Sequence, residues 1–289
     1  MDYLGPNPHK NFSKFSPEVN MERIKQAIEK VKSQQANRAG QLDNSGTSPA
    51  PAIQQPADAL KDLSYNQTRV VKLQASHLEK NRIFAFNKND PTSVTFDVLR
   101  TQILQIMEEK GWRTLAITSP SPAVGKTVVA INLAMSIAQK TNKTAMLVDF
   151  DLRQPRIGAY LGIPMEKSLN DLLDGNAELP DVLVNPDIPR LVVLPTMYAA
   201  NNPAETLSSL QVSTLIKDLR ERYESRIIIF DLPSLLYSDD AISVLPQIDC
   251  ILMVVANGMS SKREIADSLR HLSKANLIGT VFNKVYFEK

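Results

Sequence analysis

The chain has 289 residues, enough for one large domain with an appendage or for two small ones, and its 43% hydrophobic and 22% charged content is that of an ordinary folded protein. Wholesale disorder, collagen-like repeats and a disulfide scaffold are thereby excluded. Thirty-three basic against thirty-one acidic residues leave a net charge of +2, too balanced for a dedicated nucleic-acid binder, so no nucleic-acid partner is expected. Cys250 is the only cysteine and lies in an apolar run, which points to a core position and not to a disulfide or a reactive thiol. Ten glycines, where average usage predicts about twenty, sit oddly with any glycine-rich phosphate loop.

Residues 1–14 are polar, with Pro6 and Pro8, and lack the hydrophobic region of a secretory signal. The longest apolar runs, such as 250–256, are far short of the roughly 20 residues a membrane helix needs. Membrane association is therefore expected to be peripheral or through a partner. Over 18–35, Met21, Ile24, Ile28 and Val31 recur at helical spacing among charged residues, predicting a short amphipathic helix that docks on a partner, stays solvated or packs back on the domain. Residues 36–67 are rich in Gln, Ala, Ser, Asn and Pro, the composition of a disordered linker. The expected division is thus 1–35, 36–67 and a folded domain over 68–289.

From residue 68 the pattern turns to α/β. An extended lead-in over 69–86 precedes a helix over 94–110, striped by Phe96, Leu99, Ile103 and Ile106. Strands are predicted at 114–118, 145–150, 191–195, 226–231, 250–256 and 277–283. Helices are predicted at 127–140, 168–174, 205–222 and 262–275. Unbroken apolar strands such as Ile227, Ile228, Ile229 and Phe230 are expected where helices cover both faces of a sheet. The predicted fold is a doubly wound, mostly parallel α/β sheet.

Chemistry concentrates at strand ends. Between the strand at 114–118 and the next helix stands Ser119-Pro-Ser-Pro-Ala-Val-Gly-Lys126-Thr127. A Gly-Lys-Thr at a helix N-terminus suits phosphate: backbone N–H groups face the anion, Lys126 reaches the β- and γ-phosphates and Thr127 holds Mg²⁺. The strict GxxxxGK[ST] pattern fails because position 120 is proline. Asp149 and Asp151 follow the next strand, and Asp231 ends another. Carboxylates at the C-terminal edge of such a sheet are placed to orient a metal beside phosphate, though each alone could cap a helix or a turn.

These motifs, with LRTQIL at 99–104, LVDFDLRQP at 147–155, IIIFDLPSLLYSDDA at 227–241 and GTVFNKV at 279–285, resemble the bacterial tyrosine kinases of capsule and exopolysaccharide synthesis. Those are P-loop ATPases related to MinD and ParA. The segment MERIKQAIEKVK resembles the short helix of kinases from exosortase-linked loci. The resemblance implies ATP and Mg²⁺ as cofactors, cradled by Ser121, Pro122, Ala123, Val124, Gly125, Lys126, Thr127 and Val128. It implies Asp149 as base toward a tyrosine hydroxyl, with Thr127, Asp151 and Asp231 around the metal and Lys126 on the phosphates. Arg153 would meet phosphate or a neighbouring subunit, or form a surface salt bridge. Asn283 would lie near adenine or simply end a strand. The implied setting is the cytoplasm, at the inner face of the plasma membrane through a membrane-embedded polysaccharide chain-length or co-polymerase protein docked on helix 18–35, with self-association as a further expectation. The competing reading is a slow ATPase that acts as an assembly switch on that partner and modifies no tyrosine.

Departures from the family pattern are local. Its loop usually reads Pro-Gly-Glu-Gly-Lys, whereas this chain has Pro122-Ala123-Val124-Gly125-Lys126; a positive φ at Ala123 would cost about 1–2 kcal/mol. Ser121 stands where partition ATPases carry an extra lysine. The family's Glu-x-x-Arg-x-x-Arg assembly motif falls on Val94, Asp97 and Arg100, so only its last arginine remains. No tyrosine cluster follows the last strand; the seven tyrosines are dispersed.

Overall fold

Uncharged aliphatic runs become strands, and they assemble into one eight-stranded sheet in the computed structural model, which describes residues 68–222 and 225–285. In chain order the strands are β1 (Arg69–Val70), β2 (Thr114–Thr118), β3 (Thr144–Asp149), β4 (Val184–Asn185), β5 (Leu191–Leu194), β6 (Arg226–Asp231), β7 (Cys250–Ala256) and β8 (Leu277–Asn283). Their spatial order is β1-β4-β5-β3-β6-β2-β7-β8. In that order every pair from β5 to β8 is parallel, β4 pairs antiparallel with β5, and β1 lies parallel to β4, so the two short edge strands run against the other six. The helix expected over 18–35 and the linker over 36–67 lie outside the described residues.

The helices are α1 (Ala75–Lys80), α2 (Pro91–Lys110), α3 (Lys126–Lys140), α4 (Ile157–Leu161), α5 (Leu169–Leu173), α6 (Leu179–Val182), α7 (Pro203–Ser208), α8 (Leu210–Glu221), α9 (Asp240–Val244) and α10 (Lys262–His271). Parallel neighbours need crossover connections, which puts apolar layers on both sheet faces. Along one strand the side chains alternate between them. Ile227 and Ile229 join Leu115, Ile117 and Leu147 on one face. Ile228 and Phe230 join Met146 and Val148 on the other, where the Phe150 and Phe230 ring centroids lie 4.9 Å apart. Uniform hydrophobicity along β6 thus reflects a strand buried on both sides.

Local chemistry explains where the expected boundaries shift. Helix α2 begins at Pro91, earlier than 94, because Asp90 accepts a hydrogen bond from the Thr92 N–H at 2.7 Å and proline suits the first helical position. Gly111 ends it at φ 68°. The helix expected over 205–222 is two helices: Ser209 is extended and its hydroxyl accepts from the Val212 N–H, capping α8. The lead-in expected to be extended contains α1, whose one buried residue, Leu78, leaves no periodicity to read. Among the described residues no helix is long and apolar enough to cross a membrane.

Candidate functional site

Parallel register brings three strand ends to one edge. Asp231 at the end of β6 pairs in register with Ile117 of β2 on one side and Asp149 of β3 on the other. The turn after β6 is laced to the start of the loop between β2 and α3: the Thr118 hydroxyl donates to the Pro233 carbonyl at 2.7 Å, and the Leu235 N–H donates to the Ser119 carbonyl at 2.8 Å. Ser119 in turn donates through its hydroxyl to the Ser121 carbonyl at 2.8 Å. The loop then enters α3 through Gly125 at φ 97°, with no side chain capping the helix. Uncapped N–H groups at the start of a 15-residue helix attract an anion.

Lys126 and Thr127, the first residues of α3, point at the carboxylates. The Lys126 ammonium donates to Asp151 Oδ2 at 2.6 Å and lies 3.6 Å from Asp231 Oδ1. The Thr127 hydroxyl donates to Asp231 Oδ2 at 2.6 Å. Burial works against the Lys126 charge, but Asp231 and Asp151 more than offset it, and its pKa rises. Burial raises the Asp231 pKa despite the opposing pull of Lys126 and the Thr127 hydrogen bond. Asp231 Oδ1 is buried without a hydrogen bond. Three carboxylates thus surround one lysine, and one acceptor is unsatisfied. That donor set fits a hydrated divalent cation beside a polyphosphate, which would supply the missing positive charge. Among the described residues no trio of His, Cys, Asp or Glu forms a metal cage, so such an ion would draw its remaining ligands, beyond Thr127 and Asp231, from water and phosphate.

The other expected residues divide. Pro122, Ala123, Gly125, Lys126, Thr127, Asp151 and Arg153 line one cavity of about 440 Å³. Ala123, Gly125, Val128 and Asn283 line an adjoining one of about 510 Å³. Val124 turns its side chain wholly into the core and can offer only its backbone. Ser121 is buried, with a hydroxyl lacking a partner. Asp149 differs most from its expected setting. It is fully buried, Oδ2 accepts from the Arg156 and Ile157 N–H groups at 3.0 Å each, and Oδ1 accepts from Asp151 N–H at 3.3 Å. Burial first, then the Asp231 charge, push its pKa well above the ordinary carboxylate range. Asp149 shapes the turn after β3, and Asp151 is the carboxylate of that turn that faces the cavity. Arg153 makes a two-pronged ion pair with buried Asp240, at 2.5 and 3.1 Å.

Asn283 donates from Nδ2 to the Val124 carbonyl at 2.8 Å, and Lys284 donates from Nζ to the Ala123 carbonyl at 2.7 Å. The end of β8 therefore clamps the loop before α3. A Cβ added to Gly125 would stand 2.3 Å from Asn283 Nδ2. Ala123 has φ 61°, the left-handed value considered from the sequence. Besides Lys284, three contributors escaped the sequence reading. Asn132 on α3 is wholly buried, accepts from the Phe84 and Ala85 N–H groups and donates to the Arg82 and Val128 carbonyls, fixing the wall of the second cavity. Tyr160 lines both cavities, and Tyr237, largely exposed, lines the first. An asparagine inside an apolar helix face was the one legible signal among them.

No family model matches the chain. Tyrosine-protein kinase CpsD of Streptococcus pneumoniae serotype 4 is 30% identical over 176 residues, covering 60% of this chain and 76% of CpsD. The chain belongs to the bacterial tyrosine kinase family. Tyrosine-protein kinase wzc of Salmonella typhimurium is 28% identical over 202 residues, 68% of this chain and 28% of wzc. The chain spans about a quarter of the length of several curated relatives it matches, 26% for tyrosine-protein kinase ptk of Acinetobacter johnsonii. Among solved structures, the VpsO kinase domain superposes with a TM-score of 0.61 at 28% identity, covering 68% of this chain and 97% of that one. The kinase domain of Escherichia coli tyrosine kinase ETK gives 0.67 at 24% identity, covering 80% and 94%. MinD of Pyrococcus horikoshii, complexed with Mg-ADP, gives 0.50 at 21% identity, covering 59% and 69%. These last two speak to the fold alone.

Proposed function

We propose that this chain is an ATP- and Mg²⁺-dependent protein-tyrosine kinase of exopolysaccharide synthesis or export. One arrangement supports the reading above all: Lys126, Thr127 and Asp151 line a single cavity at the uncapped N-terminus of α3, with Asp231, buried behind it, keeping one oxygen unsatisfied. Nucleotide and Mg²⁺ in a fold neighbour, and kinase names among the relatives, add support. Thr127 and Asp231 would hold Mg²⁺, which when bound neutralises charge on the β- and γ-phosphates. Lys126 would leave Asp151 for the phosphates. Asp151, so released, would accept the proton of a tyrosine hydroxyl as its oxygen bonds to the γ-phosphorus and the bond to the β-phosphate oxygen breaks, leaving ADP. The adenine base would lie in the second cavity, against Val128 and Asn283. The proposed setting is the cytoplasmic face of the membrane, beside a membrane-embedded chain-length or co-polymerase protein.

Labelled ATP with Mg²⁺ should give phosphotyrosine on the chain or on the co-incubated partner, and Lys126→Ala should lower the yield at least 100-fold. No phosphotyrosine with or without the partner overturns the reading. A second reading, the assembly switch that hydrolyses ATP without modifying tyrosine, draws on the pairing of Asp151 with Lys126 and of Asp149 with backbone N–H groups, which leaves no free base. It requires that Lys126→Ala abolish partner binding while Phe at all seven tyrosines changes nothing.

A further inference from the structure

The far end of α3 borders a separate cavity of about 400 Å³. Lys126 at the start of α3 lines the nucleotide cavity and Gln139 near its end lines this one; at 1.5 Å per residue they stand about 20 Å apart. We propose that this cavity binds a compact organic anion carrying an apolar body and an N–H or O–H donor.

Three features of the wall define that chemistry. Leu73, Leu78, Phe86 and Ile188 give an apolar lining for a ring or a short hydrocarbon body. Lys72, Lys88 and Arg190 stand against Asp187, the one acid among the described lining residues, and neither Lys72 nor Lys88 has a hydrogen bond or ion pair among the described residues. The Gln139 side-chain oxygen is buried without a donor, an arrangement that costs stability and that a ligand N–H or O–H relieves once the amide turns into the cavity. The volume falls within the usual range of small-molecule sites, about 300–1,000 Å³.

The wall is also braced against collapse. Buried Asn185 donates to the Ile188 and Leu191 carbonyls at 3.3 and 3.1 Å, and Arg190 Nε donates to the Ala138 carbonyl at 3.0 Å. The same turn holds two non-glycine residues at positive φ, Asp187 at 56° and Arg190 at 66°, a strained conformation kept by its surroundings. None of these residues belongs to the kinase reading, so loss of phosphotyrosine formation leaves the proposal standing.

The probe is 8-anilinonaphthalene-1-sulfonate, which combines a sulfonate, an aromatic body and an N–H group. Titrated into the full chain, it should show one saturable site by fluorescence. Lys72→Glu with Lys88→Glu should weaken that site at least tenfold, and Gln139→Leu several-fold. Arginine at both lysine positions should keep it, and Lys126→Ala should titrate like the wild type, separating this cavity from the nucleotide site. The uncharged analogue N-phenyl-1-naphthylamine should bind at least tenfold more weakly. Absence of a saturable site, wild-type affinity in the doubly acidic variant with an unchanged circular dichroism spectrum, or equal affinity for the uncharged analogue overturns the proposal.

Discussion

Ala123 shows how one residue sets the shape of the loop before α3. Its φ of 61° costs an L-residue about 1–2 kcal/mol, and the Lys284 ammonium on its carbonyl helps hold it there. Glycine would remove the strain while adding unfolded-state entropy. Ala123→Gly should therefore raise the melting temperature by about 2 °C in a differential scanning measurement and tighten ATP binding several-fold by calorimetry. The neighbouring acids set a pH dependence of unusual sign. Asp149 and Asp231 both have pKa values raised in the folded chain, chiefly by burial. Above the unfolded carboxylate value of about 4, the folded protein retains protons that the unfolded chain has released, so these groups lower stability as pH rises through the folded pKa values. In metal-free buffer, the wild type should lose more stability between pH 5 and 7.5 than Asp231→Asn does, read as the shift in urea midpoint. An equal or larger loss in the variant would show that another group governs this window.

At the scale of elements, the site is a clamp between β8 and the start of α3. Asn283 and Lys284, at the sheet edge, take the carbonyls of Val124 and Ala123, more than 150 residues back along the chain. Asn283→Ala should weaken ATP binding about tenfold, because the loop loses a hydrogen bond that positions it; its melting temperature should fall by only a few degrees. Unchanged affinity would assign the loop's geometry to its own backbone alone. Helix α2 illustrates a motif reassigned by packing. Arg100 donates to Asp97 at 2.7 Å and to Ser136 of α3 at 2.9 Å, and Lys140 approaches Asp97 at 3.6 Å. The one arginine left of the family's assembly motif is thus engaged within the chain, joining α2 to α3.

Across the whole molecule, the two-faced sheet explains both the apolar runs and the behaviour of Cys250. That thiol is wholly inaccessible on β7, and burial, with Asp249 beside it, pushes its pKa to about 12. In native buffer a thiol reagent should find no reactive cysteine, and in urea it should find one. Rapid native labelling would mean that β7 opens more readily than a central strand should.

Much was legible because it rests on local rules. Strand and helix types follow from apolar period, so β2, β6, β7 and β8 fall on the expected residues, and Gly125-Lys126-Thr127 stands between strand and helix as expected. Short helices such as α1 and α9, anchored by one to three buried residues, have too little periodicity to read. The sequence by itself determined the fold class, the three carboxylates and the lysine that meets them, since each sits at a strand end or helix start set by nearby residues. Only the tertiary structure decided that Asp151 and not Asp149 faces the cavity, that Arg153 pairs with Asp240, and that Asn283 and Lys284 hold the loop. Apart from the backbone N–H groups that hold Asp149 within its own turn, those contacts join segments 25 to 161 residues apart. Their energies depend on burial and register, which no local pattern encodes.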